Sequence, residues 1–143
     1  MPMLTGHCHC GNITIRFDTE LAPEQLPLRA CQCSFCRAQG AVTTTDPHGK
    51  VILAAPDYSG VQHYHFGLGI TDMLICKRCG NYAAGIIKAD GRRYATLNAN
   101  LLDCRATLTA TPTPVDYSGE TAAQRMARRL ASWTPVEYGS GMF

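Results

Sequence analysis

Seven of the eight cysteines in this 143-residue chain fall in three tight groups. These are Cys8-His9-Cys10, Cys31-Gln32-Cys33-Ser34-Phe35-Cys36 and Cys76-Lys77-Arg78-Cys79, with Cys104 standing alone. Thiolates are soft donors suited to zinc or iron–sulfur. Thiols packed this closely in a reducing compartment read as metal ligands before they read as disulfides. In an extended segment alternate side chains share a face, so Cys8 and Cys10 are expected to aim at one point while His7 and His9 aim away. Cys76-x-x-Cys79-Gly80 reads as a knuckle in which Gly80 takes the positive φ that closes the turn. Cys31, Cys33 and Cys36 combine both spacings, so six residues of chain can bring three thiols to one ion.

Seven ligands divide into four plus three. A structural zinc takes four protein ligands, whereas a catalytic zinc keeps three and leaves a position open. The outer pairs, Cys8/Cys10 and Cys76/Cys79, make a closed four-thiolate site that ties residue 8 to residue 79. The central group then makes an open site. A single zinc with three spare thiols is one alternative, and redox use of Cys33/Cys36 or Cys76/Cys79 is another.

The elements that position these groups are mostly strands. Residues 12–17 place Ile13, Ile15 and Phe17 on one face and Thr14 and Arg16 on the other, with the period of two that a half-buried strand requires. Residues 41–45, 51–54, 61–66, 73–76, 82–88 and 93–99 are further β-favouring runs. Turn residues at 46–49, 67–69 and 90–91 separate them, and strands joined by short turns imply antiparallel pairing. One helix is expected near residues 119–133, with Ala122, Met126, Leu130 and Trp133 as an apolar stripe laid on a sheet face. Gln124, Arg125, Arg128 and Arg129 lie off that stripe, Ser118 or Gly119 caps its start, and Pro135 stops it. The tail from 137 to 143 is expected to fray. The tetrapeptide Asp57-Tyr58-Ser59-Gly60 recurs as Asp116-Tyr117-Ser118-Gly119, which reads as turn vocabulary rather than as a repeat.

Composition excludes several classes of function. Thirteen basic and eleven acidic residues give a net charge of +2, too little to argue for nucleic acid, and the basic spots Arg92-Arg93 and Arg125 with Arg128-Arg129 read as solvated surface. No apolar run approaches the roughly 18 residues of a membrane span, and the first residues lack the basic and apolar regions of a secretory signal. The expectation is a soluble, cytoplasmic chain forming a single domain over residues 1–143, its core spanning about 4–103.

The three cysteine groups, in this order, resemble the glutathione-dependent formaldehyde-activating family, which also contains centromere protein V. The matching residues are Gly6-His-Cys8-His-Cys10-Gly11, Cys31-Gln-Cys33-Ser-Phe-Cys36-Arg37 and Cys76-Lys-Arg-Cys79-Gly80. The resemblance implies a mainly β fold, a small antiparallel β-tent, to which this chain adds one C-terminal α-helix. It implies a structural zinc on Cys8, Cys10, Cys76 and Cys79 and a labile, catalytic zinc on Cys31, Cys33 and Cys36. The activity implied is that of a carbon–sulfur lyase, joining glutathione and formaldehyde reversibly into S-hydroxymethylglutathione. The stretch Arg37-Ala38-Gln39, shorter by one residue than in many members, is expected to line the active site.

Arg37 directly follows the third open-site ligand and is the charged residue expected to pair with a substrate carboxylate or to offset thiolate charge. Lys77, Arg78, Arg92 and Arg93 are further candidates for the two carboxylates of glutathione. Cys104 reads as a buried free thiol in preference to a fourth ligand. His63 and His65 read as surface or hydrogen-bonded histidines, and His48 falls in a turn. The competing functions are a non-catalytic, zinc-stabilised binding module and a thiol or zinc sensor.

Overall fold

Residues 12–17 follow their alternation. Ile13, Ile15 and Phe17 are fully or almost fully buried while Thr14 and Arg16 are exposed, and the strand β2 runs over Thr14–Asp18. In the computed structural model, which describes residues 2–139 and 141, β2 belongs to a forked sheet. Its partner β1 is Met3–His7, and β3 is the short Arg29–Cys31. Helix α1 covers Ser34–Gln39, followed by β4 (Thr43–Thr44), β5 (Lys50–Ala54), β6 (Val61–Tyr64), β7 (Asp72–Cys76), β8 (Tyr82–Ala89) and β9 (Arg92–Asn98). The chain continues through β10 (Thr113–Val115), α2 (Ala122–Ser132) and β11 (Thr134–Tyr138).

The sheet divides at β9. One edge of β9 pairs with β8 from Arg92↔Ala89 to Leu97↔Ala84. Along the other edge Arg93, Tyr94 and Ala95 pair with β11, while Leu97 and Asn98 pair with β4. One branch therefore runs β11-β5-β2-β1 and a second runs β4-β3-β10, with β8-β7-β6 on the far side. β8 reads Tyr-Ala-Ala-Gly-Ile-Ile and is buried on both faces, which explains its continuous apolar run of small and branched residues. The β8–β9 hairpin turns on Asp90 and Gly91, both at positive φ (51° and 76°), the geometry that a two-residue primed turn demands.

The mainly β, largely antiparallel reading holds, with two exceptions. β10 pairs with β3 and β11 with β5 in parallel, because each is reached by a long connection rather than a hairpin. The expected strands at 41–45 and 61–66 are shorter than anticipated, and β1, β3, β10 and α1 had no clear periodic signal.

Two expectations about the C-terminal segment are corrected. The residues from 137 on were expected to fray, yet Thr134–Tyr138 is an interior strand, with Thr134 and Val136 buried between β5 and β9. The Asp46 amide donates to the Thr134 hydroxyl (2.8 Å) and the Gly139 amide to the Leu53 carbonyl (2.7 Å). Positions 140, 142 and 143 of that tail lie outside the described residues. The helix was expected to lay its apolar stripe on the sheet. Instead Leu130 is 40% exposed and Ala122 is exposed, and of the stripe only Trp133, the C-cap residue, is buried. The face turned inward is Arg125, Arg128, Arg129 and Ser132. The N-cap is Thr121, which forms a capping box with Gln124 (3.1 and 2.9 Å), so the helix begins later than expected.

The placement of β11 makes two adjacent substitutions diverge. Val136→Asp buries an unpaired carboxylate and should lower unfolding stability by more than about 3 kcal/mol. Glu137→Ala breaks only the exposed pair with Lys50 (3.2 Å) and should cost less than about 1 kcal/mol. Urea denaturation checks this; equal effects would mean that β11 is not an interior strand.

Candidate metal centres and the adjoining cleft

β1 ends at His7, and residues 8–11 form a turn in which the Gly11 amide donates to the Cys8 carbonyl (2.9 Å). Cys8 and Cys10 therefore converge through a turn and not through the extended segment expected of them. β7 ends on Cys76, and the knuckle closes as anticipated: the Gly80 amide donates to the Cys76 carbonyl (2.8 Å) and Gly80 takes φ 80°. The two turns face each other, joined by the His9 amide donating to Asn81 Oδ1 (2.7 Å). All four sulfurs lie within 4.8 Å of one another, with Cys8–Cys10 at 3.7 Å and Cys10–Cys76 at 3.5 Å.

Burial pushes the Cys8 thiol up to about 12, and its thiol neighbours add to this. Cys79 is drawn down to about 6. Burial opposes that shift, but backbone hydrogen bonds at Asn81 and Cys10 and the Cys76 and Cys8 thiols outweigh it. Cys79 thus gives up its proton readily while buried Cys8 resists, and a bound cation would favour the thiolate form of each.

The second group is built by one strand end and one helix start. Cys31 closes β3, Cys33 is the N-cap of α1 and accepts from the Cys36 amide (3.3 Å), and Cys36 sits buried in the first turn. Their sulfurs also lie within 4.8 Å of one another, and among the described residues no fourth Cys, His, Asp or Glu joins them. The Cys36 thiol lowers Cys31 to about 5 against the effect of burial, with help from Cys33 and the Arg128 charge, and Cys36 is raised in turn by Cys31 and by burial. Either cysteine group could hold a metal ion. No disulfide joins any of the eight cysteines.

Cys31, Cys33 and Cys36 line a cleft of about 410 Å³. Its apolar lining comes from Phe66, Leu68, Ile70, Met73, Tyr82 and Trp133. Phe35 stands behind it, stacked on Phe66 (5.3 Å) and edge-on to Tyr82 (5.1 Å). Burial, then the cysteine charges, raise the Tyr82 phenol and keep it neutral. Its cationic lining comes from Arg29, Arg125, Arg128 and Arg129, the last lying 4.6 Å over the Trp133 ring. Arg128 makes a two-pronged pair with Glu120 (2.8 and 3.0 Å) and lies 3.4 Å over the Tyr117 ring. Arg29 donates to Thr45 (2.7 Å), Arg125 to the Tyr117 carbonyl (3.1 Å) and Arg129 to Thr71 (2.5 Å). Burial, with Arg128 and Arg125 adding, lowers Arg129 to about 10.

These arginines are the residues that sequence reasoning missed. A polar helix face was taken for solvated surface, but the spacing 125, 128, 129, 132 fits a polar cleft equally well. Arg37, Ala38 and Gln39, expected to line the site, are exposed on α1 and do not line the cleft. Lys77, Arg78, Arg92 and Arg93 also lie outside it; Arg78 pairs with Asp57 and Arg93 stacks on Tyr138. Cys104 is half-buried against the main core and joins neither cysteine group. His63 is hydrogen-bonded between Tyr58 and Asp72 (2.6 Å each) and His65 lies 3.5 Å from Asp72, as expected of non-ligands. His7 contacts the Cys8 carbonyl and His48 sits in its turn, and neither they nor His9 enter a cysteine group. Asp57 and Asp116 each accept from the amide two residues on, which confirms that their shared tetrapeptide is turn vocabulary.

Among curated proteins none matches the sequence significantly. A solved Rhodobacter sphaeroides protein, a structural genomics target, is 25% identical with a TM-score of 0.55, covering 77% of this chain and 97% of its own. The family model described as glutathione-dependent formaldehyde-activating enzyme matches residues 3–117, a span that holds both cysteine groups and ends before α2. The chain belongs to the glutathione-dependent formaldehyde-activating enzyme family.

Proposed function

We propose that this chain is a zinc-dependent carbon–sulfur lyase that forms and cleaves the adduct of a thiol, glutathione in the first instance, with a small aldehyde such as formaldehyde. One observation carries the reading: three thiols converge at the floor of a cleft with no fourth side-chain ligand among the described residues. Four ligands closed on themselves suit a structural ion, and three beside a cleft suit a reactive one.

The donor set fits zinc. Four sulfurs about 2.3 Å from a tetrahedral zinc lie about 3.8 Å from each other, close to the 3.7 and 3.5 Å between Cys8, Cys10 and Cys76. Cys8, Cys10, Cys76 and Cys79 would hold the structural ion, and Cys31, Cys33 and Cys36 the labile one. Bound there, zinc supplies a Lewis acid that favours the thiolate form of a thiol or polarises a carbonyl.

The reaction balances without a redox partner. The thiol S–H adds across the aldehyde C=O, a carbon–sulfur bond forms and the thiol proton ends on the carbonyl oxygen; the reverse breaks that bond. The chain's own residues hold the two reactants side by side, and proximity removes much of the entropic barrier to a bimolecular step. The apolar lining of Phe66, Leu68, Ile70 and Trp133 keeps water from competing for the aldehyde. Arg37, outside the cleft, has no substrate contact in this scheme.

Cys33→Ala should lower the rate of adduct formation by about a hundredfold or more, with a change of only a few degrees in melting temperature. Full activity in all of Cys31→Ala, Cys33→Ala and Cys36→Ala would leave a zinc-stabilised binding module instead. Native mass spectrometry should count two zinc ions in the wild type and one in Cys33→Ala. Cys76→Ser should lose the cooperative melting transition, because the closed site binds its ion at the expense of the unfolded state; an unchanged transition would show that the four-cysteine group is not structural.

A further inference from the structure

We infer that the arginine face of α2, with Arg29, is an anion clamp that gives the three-cysteine cleft its thiol specificity by holding a ligand with two carboxylates. This deepens the proposed function and borrows from it only the identity of the thiol.

α2 runs over Ala122–Ser132, beyond the segment that matches the family model, and its inward face is cationic. A helix docked for stability alone turns its apolar stripe inward. Here Leu130 and Ala122 face outward, while Arg125, Arg128 and Arg129 line the cleft beside Cys31, Cys33 and Cys36. Arg29 reaches the same cleft from β3, in the strand that also carries Cys31.

The local charge is unbalanced. Glu120 engages Arg128 and, at 3.6 Å, Arg125. Asp116 at the rim turns its carboxylate to the Ser118 amide (2.9 Å). Neither Arg29 nor Arg129 meets a carboxylate among the described residues. Gathering four guanidiniums around two carboxylates and the Cys31 sulfur, whose thiol the Arg128 charge helps to lower, still leaves an excess of positive charge that costs repulsion and desolvation. The Arg129 Nε–H is buried without a hydrogen-bond partner, and that of Arg125 has only the long 3.6 Å approach of Glu120, a cost that folding does not require of a surface helix.

A bound ligand with two carboxylates offsets this excess. Guanidiniums grip carboxylates through two parallel hydrogen bonds, so two carboxylates suit a cluster of arginines of which only Arg128 already holds a two-pronged carboxylate. A γ-glutamyl tripeptide thiol has that chemistry, and a simple alkyl thiol does not. The core of the fold would thus supply the reactive site while the C-terminal helix chooses its thiol.

Calorimetric titration of the zinc-loaded protein with S-methylglutathione, whose sulfur has no proton to lose, isolates the clamp from the reaction. The diacid should bind about tenfold or more tightly than its dimethyl ester, since charged hydrogen bonds are worth that much in affinity. The Arg125→Gln/Arg129→Gln double variant should lose the preference, and Arg92→Gln, outside the cleft, should keep it. Equal binding of diacid and diester to the wild type, or no binding of either at millimolar concentration, would overturn the clamp without any variant having to fold. A diacid preference with no formaldehyde adduct formed from glutathione would keep the clamp and sink the lyase reading. Equal turnover of glutathione and its diester would do the reverse.

Discussion

A sheet that forks at β9 has an angle between its branches that backbone hydrogen bonds do not set. Within each branch the ladders are complete, but the β1–β2 end of one branch and the β7–β8 end of the other are far apart along the sheet path. What brings them together is the meeting of two turns, residues 8–11 and 76–80, with four sulfurs between them. Asn12 reinforces the meeting by donating to the Asp57 carbonyl and accepting from the Asp57 amide (2.8 and 3.1 Å). The rest of the architecture inherits this constraint, because the cleft lies where the branches diverge. Closing a loop of this length restricts the unfolded chain as much as it organises the folded one.

The two cysteine groups differ because of what precedes them. Opposed turns surround a point, leaving only Cys10 exposed. A strand end and a helix N-terminus approach a point from one side, so the opposite side remains a cleft. Cys33 shows the economy of this arrangement: as N-cap it takes up a helix amide, and as a ligand candidate it faces the same focus as Cys31 and Cys36.

The cysteine spacings were legible in the sequence because a metal site is a local pattern of chemically distinctive residues, and β2 and β8 because alternation and an apolar run are local too. The two- and three-residue strands β3, β4 and β10 give no period to detect, and their pairing is decided by distant partners. β11 was masked by Pro135, which reads as a helix stop and argues against an interior strand; here it faces Tyr94, with buried Thr134 and Val136 on either side. The arginine face of α2 was misread for a different reason. Amphipathicity identifies two faces but not which of them meets the protein, and only the cleft beneath decides that.

The position of β11 orders the assembly of the molecule in time. It lies between β5 and β9, yet it is the last strand in chain order. As the chain leaves the ribosome, the residues that tie position 8 to position 79 are all available early, whereas β5 and β9 each wait with an open edge until residues 134–138 emerge. Open edges invite pairing with other chains, so the unfinished sheet is the species most exposed to aggregation. Because α2 is tethered directly to β11, Arg125, Arg128 and Arg129 arrive at the same moment as the closing strand, whereas Arg29 is in place earlier. The nascent protein therefore carries Cys31, Cys33 and Cys36 before it carries the α2 arginines that line the same cleft.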